Sequence, residues 1–346
     1  MSTNAQTRIL VTGGTGKIGR HVINELLARG YQVRAVTSKP VAATMASDRL
    51  EWRQLDFHES LDFDPLVREC AAVIHLAAET NVPERMHRSN VAATRALAEA
   101  SERAGVKVFC HTSSITVYGS SRRRRVLEDS PVLTADRDVR SEYWAGEGMR
   151  CYGRTKLQGE LVIRAGAQNV EYIIFRPTVI MDIQHLMNLR DWSKARKHLS
   201  GSSHAHHMYV YDAADAILWF MERGLRRDKP LPGVSTFNLS EDDAPIHTFG
   251  QIFKVAYKAS NDRRWRAATV PWPIQWPLMM AKHRTLLFRQ PLGRMLFSGD
   301  KLRDAGYTTP FGMSHAIAVF CKELAPAGAS GTPADASGIK NTSGAA

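Results

Sequence analysis

The sequence TGGTGKIG, residues 12–19, separates the apolar segment RILVT at 8–12 from a segment at 17–29 whose apolar residues follow helical spacing. Glycines between a strand and a helix permit a tight turn and let a pyrophosphate approach the backbone closely. The amino end of the helix offers free N–H groups and a positive dipole end to the phosphates. Gly30 is expected to end this helix, since glycine readily adopts a positive φ. The pattern predicts a dinucleotide-binding turn that includes Gly13, Thr15, Gly16, Lys17, Ile18 and Gly19.

Strand-like and helix-like segments alternate along the chain beyond this turn. Strands are expected at 31–37, 50–55, 71–77, 106–112, 170–176 and 235–239, and helices at 84–104, 152–165 and 212–222. The segment AAVIHLA at 71–77 is continuously apolar, which is typical of a strand buried on both faces. The alternation predicts an α/β fold, with a Rossmann doubly wound parallel sheet and a smaller C-terminal substrate-binding domain.

This fold implies a division of the chain. Residues 1–178 are expected to form an NAD(P)-binding domain, to which segments near 209–222 and 235–240 return, and residues 179–324 an interleaved substrate-binding lobe. Residues 325–346 consist almost entirely of small residues and proline. That tail is expected to be disordered, because it cannot bury enough apolar surface to offset its chain entropy.

Composition and charge exclude several classes of protein. The 346 residues carry 46 Lys and Arg against 34 Asp and Glu, and segment 250–303 holds eleven of the basic residues with two acids. No nucleic-acid-binding motif accompanies this excess, so nucleic acid is not an expected partner. Four widely spaced cysteines suggest a reducing compartment, and the polar amino terminus does not resemble a signal peptide. A cytoplasmic protein with at most peripheral membrane contact is expected.

The adenosine end of the predicted site lacks the usual acid. Where a carboxylate commonly binds the adenosine ribose, the chain has Thr37, Ser38 and Lys39. A hydroxyl and a lysine would accept a 2′-phosphate that a carboxylate would repel. NADP is therefore the preferred cofactor and NAD the alternative, with Ser38 and Lys39 as binding residues and Arg34 and Arg20 as added positive charge. Lys39 as a merely solvated loop residue is the other interpretation.

Two further motifs carry catalytic chemistry. In YGRTK at 152–156, a spacing of four places Tyr152 and Lys156 on one face of the expected helix. An ammonium near a phenol is expected to lower the phenol pKa towards neutrality, making tyrosine a usable general acid and base. Segment TSSITVYG at 112–119 follows the fifth strand, where ligands bind in such sheets. A serine there can hydrogen-bond the reacting oxygen.

Together these motifs resemble the extended short-chain dehydrogenase/reductases of the NAD-dependent epimerase/dehydratase type. The matching segments, in family order, are TGGTGKIG at 12–19, LDF at 55–57, HLAA at 75–78, Asn90, TSSITVYG at 112–119, YGRTK at 152–156, FRPT at 175–178 and YVYDAADAI at 209–217, with weaker matches FNLS at 237–240 and DKLRDAGY at 300–307.

The resemblance implies a role for each matching residue. Tyr152 would be the acid and base, Lys156 would tune it and bind the nicotinamide ribose, and Ser114 would be the catalytic serine. The remaining positions would contact or support the cofactor: Asp56 and Phe57 at adenine, Leu76, Ala77 and Ala78 at the strand end, Asn90 as a structural or relay residue, Ser113 beside the catalytic serine, and Pro177 and Thr178 near the nicotinamide carboxamide.

Three features of this sequence differ from the members of that family that act on sugar nucleotides. Segment SSHAHH at 202–207 stands where those members usually have a phosphate-binding arginine, and VIMD at 179–182 lacks their usual glycine. An arginine-rich segment at 120–150 is expected to form a lid, with Arg122–Arg125 either clamping an anion or forming a solvated loop. His198, His204, His206 and His207 have no acid or cysteine partner at metal-ligand spacing, so no metal is expected.

These observations predict an NAD(P)-dependent oxidoreductase acting on a carbinol or ketone carbon of a small-molecule substrate. The apolar and basic segment 272–297 favours an apolar or lipid-linked substrate, with Trp272, Trp276 or Phe288 expected near Tyr152, although a lobe core is the plainer interpretation. A nucleotide-sugar epimerase or dehydratase is the alternative enzyme. A non-catalytic NADP(H)-sensing protein is the alternative of another class, and a homodimer is an open possibility for assembly.

Overall fold

The computed structural model describes residues 3–40, 47–119, 123–133, 147–227, 233–271, 273–275, 277–278 and 295–323. Its strands are β1 (Arg8–Thr12), β2 (Gln32–Thr37), β3 (Leu50–Gln54), β4 (Cys70–His75), β5 (Val108–Thr112), β6 (Arg125–Val126), β7 (Glu171–Pro177), β8 (Val179–Met181), β9 (His207–Tyr209), β10 (Gly233–Leu239) and β11 (Leu296–Phe297).

The α-helices are α1 (Lys17–Ala28), α2 (Asp64–Val67), α3 (Pro83–His87), α4 (Ala93–Ala104), α5 (Glu147–Gly166), α6 (Ile183–Arg190), α7 (Lys194–Ser200), α8 (Val210–Leu225), α9 (Phe249–Ser260), α10 (Asp300–Asp304) and α11 (Gly312–Glu323). A π-helical turn, Arg88–Ala92, joins α3 to α4, so the helix predicted at 84–104 is continuous but not regular. Short 3₁₀ turns lie at Thr3–Gln6, Ile115–Tyr118 and Arg263–Trp265.

Within the described residues, seven parallel strands form one sheet in the order β10-β7-β5-β4-β1-β2-β3. The chain runs from β1 outwards to β3 and then returns past β1 to β4, so the strand order reverses there. In such sheets the crevice outside the carboxyl ends of the strands at the reversal is where ligands bind. The predicted Rossmann fold is confirmed, and the strand boundaries move by only one or two residues.

Both faces of the sheet are buried, as the apolar strands predict. Along β1, Ile9 and Val11 pack with α1 and α8 on one face, and Leu10 packs with α2 and α4 on the other. All three are fully buried. Alternate side chains of one strand therefore stabilise two separate layers of helices. Burial on both faces fixes the position of the carboxyl end of β1, where the glycine turn begins.

The carboxyl-terminal elements pack into a lobe around their own apolar cluster. Phe253 of α9, Trp265 and Phe320 of α11 are buried there together with residues of α6. The lobe is tied to α8, where the Asp212 carboxylate accepts hydrogen bonds from the backbone N–H groups of Phe311 at 3.0 Å and Gly312 at 2.8 Å. The division of the chain at residue 178 stays a prediction.

Several predicted features lie outside the described residues. They are Trp272, Trp276, Phe288, Arg122 and the tail at 325–346, together with most of the predicted lid. The described part of that lid, 123–133, pairs with the lobe through β6 and β11, and Leu133 donates its N–H to the Val117 carbonyl at 2.8 Å. Among the helices that the structure describes, none is long and apolar enough to cross a membrane.

Candidate active site

The glycine turn lies directly on the carboxyl end of β4. Gly13 has φ of +71°, and a Cβ there would stand 2.7 Å from the Ala77 nitrogen. A Cβ on Gly19 would stand 2.2 Å from the Gly13 carbonyl oxygen. Only hydrogen fits at either position, so the turn is held close to both β4 and α1. Gly16 is the N-cap of α1 and has no side chain to occupy the helix end.

Two cavities meet over this turn and share Gly13, Gly16, Leu76 and Ala78 in their walls. The larger, of about 430 Å³, extends towards Tyr152, and the smaller, of about 290 Å³, extends towards Asp56. The amino end of α1 opens into the larger one through Lys17, Ile18 and Gly19. A groove that passes over a helix amino end and widens on both sides fits a dinucleotide, whose pyrophosphate prefers such an end.

The smaller cavity contains most of the predicted adenosine contacts. Thr15, Ser38, Asp56, Phe57 and Ala77 line it. The Asp56 carboxylate accepts the His58 N–H at 2.8 Å and lies 3.8 Å from the Arg85 guanidinium. Lys39 is exposed and follows Ser38 at the rim without lining the cavity.

The predicted contribution of Arg34 to the cofactor charge is wrong. Its guanidinium is buried behind β2, where it pairs with Glu51 at 2.9 Å. It also donates to the carbonyls of Leu66 at 2.8 Å and Arg68 at 3.0 Å. Because these partners use Nε and Nη1 and hold the side chain inside the protein, Arg34 has a structural role. Arg20 is exposed on α1.

Ser114 and Tyr152 meet on the wall of the larger cavity, which Ser113, Pro177 and Thr178 also line. The Ser114 hydroxyl lies close enough to the Tyr152 phenol to act on its pKa. Ser114 Oγ accepts from Thr116 N at 3.2 Å and from Thr116 Oγ1 at 2.9 Å, so its own proton remains available to another acceptor. Sequence reasoning did not single out Thr116, although a hydroxyl two residues after a capping serine is a recognisable signal.

The pKa of Tyr152 is raised above its usual value, whereas the sequence analysis predicted that it would be lowered. Burial raises the pKa of this phenol to about 12, and the hydrogen bond from Ser114 works against that rise. The physical reason is that removal from water disfavours the phenolate more than the neighbouring donor favours it. In this state the tyrosine is a neutral phenol, ready to donate a proton.

Lys156 lies one turn after Tyr152 on α5 and is only 1% exposed. Burial lowers the pKa of Lys156 to about 8, and the nearby Glu160 carboxylate opposes that change. The charge of Lys156 is also felt by His75 and His111, whose pKa values burial lowers further. Lys156 lines neither cavity, and Glu160 is the carboxylate that acts on its charge.

Asn90 has a structural position rather than a place in either cavity wall. Its amide nitrogen donates to the Glu79 carbonyl at 3.0 Å and to Thr155 Oγ1 at 3.1 Å. Its amide oxygen accepts the Glu79 N–H at 2.9 Å. Fully buried, it ties the loop after β4 to the middle of α5, and so supports the cavity indirectly.

The histidine segment at 202–207 holds the lobe together. His206 Nδ1 lies 2.6 Å from the Asp242 carboxylate, His204 Nδ1 lies 2.8 Å from the Met295 carbonyl, and His207 Nε2 lies 2.8 Å from His185 Nε2. Among the described residues no group of three or more His, Cys, Asp or Glu side chains could hold a metal ion. Arg125 likewise has a structural role, since it pairs with Asp300 and Asp243.

Comparisons with known proteins identify the family of this chain. The model of the NAD-dependent epimerase/dehydratase family matches residues 9–232. UDP-glucose 4-epimerase of Bacillus subtilis is 31% identical over 172 residues, covering 45% of this chain and 47% of that protein. A protein of Synechocystis sp., provisionally named dihydroflavonol 4-reductase, is 32% identical over 148 residues, covering 39% of this chain and 42% of that protein. The chain thus spans about half the length of the curated relatives it matches.

A solved structure extends the likeness in fold. UDP-glucuronic acid 4-epimerase from Bacillus cereus, in complex with NAD, aligns with a TM-score of 0.64 at 20% identity, covering 92% of this chain and 97% of that one. The family match includes the glycine turn, Ser114, Tyr152 and Lys156, and covers more than half of the chain. The chain belongs to the NAD-dependent epimerase/dehydratase family and is an enzyme of the extended short-chain dehydrogenase/reductase type.

Proposed function

We propose that this enzyme interconverts a carbinol and a ketone on a small molecule, with a nicotinamide dinucleotide held over the glycine turn. One observation carries the proposal: Ser114 and Tyr152 lie on the wall of the same cavity as the amino end of α1. Pro177 and Thr178 also line this cavity. A reacting carbon in this cavity would have a proton donor and a hydrogen-bond donor beside its oxygen.

The chain's own residues account for the proton and the oxygen. When bound, the nicotinamide would supply or accept the hydride at the reacting carbon, and its oxidised form would add a positive charge that favours a phenolate. In reduction Tyr152 Oη gives its proton to the carbonyl oxygen, which becomes the hydroxyl, and in oxidation it takes that proton back. Ser114 donates to the same oxygen, and the Lys156 ammonium stabilises the phenolate that remains.

The cofactor proposal is that NADP(H) binds more tightly than NAD(H). Ser38 lines the adenosine cavity and Lys39 is exposed at its rim, where a 2′-phosphate would meet a hydroxyl and an ammonium. Arg85, also in that wall, adds a guanidinium that sequence reasoning did not single out. The absence of an acid directly after β2 removes the repulsion that a 2′-phosphate usually meets in NAD-specific sites.

Lys39→Ala should narrow the affinity gap between NADP(H) and NAD(H) by about 5- to 30-fold. That is the loss of one charge-assisted hydrogen bond, about 1–2 kcal/mol. Titration calorimetry of the full chain with both cofactors measures it. Arg53→Ala is the matched control, since Arg53 is an exposed cation on the adjacent strand that pairs with Glu51. Tighter binding of NAD(H) by the unmodified enzyme would overturn the cofactor proposal.

The substrate proposal is an apolar carbinol or ketone. Ile115, Met149, Val179 and Ile180 line the larger cavity beyond Tyr152, and Met149 and Val179 are 47% and 41% exposed there. Lys17, a cation in the same wall, is paired with Asp182 at 3.2 Å. Arg125 and Arg264 are paired with carboxylates elsewhere. An apolar wall favours an apolar substrate over a nucleotide diphosphate.

Nucleotide-sugar epimerisation is the second candidate, because the B. subtilis relative carries the name UDP-glucose 4-epimerase. In that reaction the cofactor is oxidised and reduced within one turnover, so none is consumed. The same three residues would move the proton, and the sugar would have to present both faces of one carbon to the cofactor.

A substrate panel separates the two candidates. We expect the purified full chain to consume added NADPH or NADH in a one-to-one ratio with alkyl or aryl ketones. UDP-glucose and UDP-glucuronic acid, assayed for their 4-epimers without added cofactor, should remain unchanged. Formation of the epimer with no net change in cofactor absorbance would replace the reductase proposal with the epimerase.

A further inference from the structure

A buried carboxylate lies on the catalytic face of α5, one turn beyond Lys156. Glu160 is fully buried, and its position continues the spacing of four set by Tyr152 and Lys156. Ser113 Oγ donates to its carboxylate at 2.5 Å. Arg176 donates through Nε at 2.9 Å and through Nη2 at 2.6 Å, a two-pronged ion pair. Such a pair holds both partners in one orientation.

The partners of Glu160 are the residues that precede the cavity walls. Ser113 immediately precedes Ser114 at the end of β5, and its N–H donates to the Phe175 carbonyl at 2.6 Å. Arg176 immediately precedes Pro177 and Thr178 at the end of β7. A single carboxylate therefore connects α5 to the carboxyl ends of two strands, and all three elements contribute a wall of the cavity that contains Tyr152.

The network continues outwards from Arg176. Its Nη1 donates to Tyr118 Oη at 2.8 Å and to the Glu128 carbonyl at 3.1 Å, and Tyr118 Oη donates to Asn238 Oδ1 at 2.6 Å. The Arg176 guanidinium also lies 4.7 Å from the centre of the Tyr118 ring. These contacts fix the orientation of the arginine from the side opposite Glu160, so the carboxylate faces a rigid partner.

The charge of Glu160 also bears on Lys156. The groups that act on the ammonium or feel its charge are Glu160 on its own helix, His75 on β4 and His111 on β5. His75 Nδ1 accepts from Thr12 Oγ1 at 2.7 Å, and its Nε2 donates to Thr94 Oγ1 at 3.0 Å, because Thr94 gives its own proton to the Asn90 carbonyl. Burial lowers the pKa of both histidines, so they stay neutral and Glu160 is the anion on this side.

We propose that Glu160 is a positioning residue, which aligns the Ser114 and Tyr152 hydroxyls through Ser113 and Arg176 and keeps an anion behind the Lys156 ammonium. The proposal rests on the proposed function of the Tyr152 cavity. A purely structural buried ion pair is the competing explanation. The chain offers a comparison for it: Glu171 and Arg227 form a similar half-buried pair at the other end of β7, at the amino ends of the strands.

Glu160→Gln should lower kcat by about tenfold or more, since misalignment of reacting groups is costly even at small displacements. The alkaline limb of the pH–rate profile should move to lower pH, because loss of the anion lowers the pKa of Lys156 and its ammonium is lost sooner. Glu171→Gln, the matched control, should lose thermal stability but keep the wild-type kcat and pH profile. Equal loss of activity in both variants, or an unmoved alkaline limb in Glu160→Gln, would overturn the proposal.

Ser113→Ala is the second variant, in case Glu160→Gln does not fold. It removes one hydrogen bond and no charge, so kcat should fall severalfold while the alkaline limb stays in place, and a wild-type kcat would count against the alignment role. Tyr152→Phe separates this inference from the proposed function. If Tyr152→Phe is inactive and Glu160→Gln behaves like Glu171→Gln, only the positioning role fails. If Tyr152→Phe keeps the wild-type rate, the proposed function itself fails.

Discussion

Tyr152→Phe should lower kcat by about 10²- to 10⁴-fold, the usual contribution of a positioned general acid or base. The substitution removes only the hydroxyl, whose pKa burial raises to about 12. The ring still fills its place in the cavity wall, so the fold and the dinucleotide affinity should stay close to those of the unmodified enzyme. Steady-state kinetics and cofactor titration on the same preparation measure the two effects separately.

Two other variants sharpen this test. Tyr211→Phe is the matched control, since Tyr211 is 38% exposed and lies outside both cavity walls, and it should keep full activity. Lys156→Ala should damage both turnover and cofactor affinity, because the lysine is proposed to serve the phenol and the nicotinamide ribose together. Wild-type turnover by Tyr152→Phe with any accepted substrate would show that the proton is moved by another group.

The proposed catalytic residues could be found from the sequence because they depend on short spacings. Tyr152 and Lys156 need only one helix, and Ser114 needs only the end of one strand, so local sequence places them near one another once the sheet is parallel. The glycine turn is equally local. The fold could be predicted for the same reason, since the spacing of apolar residues identifies each strand and helix separately.

Arg34 shows where local reasoning ends. In the sequence, Arg34 is a basic residue three positions before Thr37, at the predicted adenosine end of β2. Its charge therefore suggested a contribution to binding a cofactor phosphate. In the structure its partners are Glu51 on β3, the carbonyl of Leu66 in α2 and the carbonyl of Arg68 just after α2. Such partners come from residues 17 to 34 positions away in the chain, and no spacing rule within β2 reveals them.

The pKa of Tyr152 and the role of Glu160 were missed for a related reason. The spacing of Tyr152 and Lys156 suggests an electrostatic effect, but the net pKa depends on how much water the folded chain removes, which follows from the packing of the whole cavity. Glu160 falls at the next helical position, and its importance depends on Arg176 in β7 and Ser113 in β5. Its partners become neighbours only when the sheet assembles.

Gly19→Ala should weaken dinucleotide binding by about 10²-fold. The added Cβ would stand 2.2 Å from the Gly13 carbonyl oxygen and 2.9 Å from the Gly14 Cα, and both are backbone atoms that no rotamer change can move. Gly13 cannot retreat, because it already lies against Ala77 and Leu76. The turn must therefore separate from α1. Overpacking usually costs about 1–3 kcal/mol, and we expect a cost near the upper end of that range. If the displaced helix end loses this free energy in binding, the cofactor affinity falls by about 10²-fold.

Gly166→Ala is the matched control for this prediction. Gly166 ends α5 and has nothing within 4 Å of the position of an added Cβ, so alanine should leave cofactor affinity unchanged and hold or slightly raise the free energy of unfolding. Titration calorimetry and thermal unfolding of both variants, with and without cofactor, distinguish a lost site from a lost fold. In Gly19→Ala the protein should remain folded and lose most of the thermal stabilisation that the cofactor gives the unmodified enzyme. Cofactor affinity equal to that of Gly166→Ala would mean that the pyrophosphate is held elsewhere than on this turn, because a displaced amino end of α1 could not bind it as before.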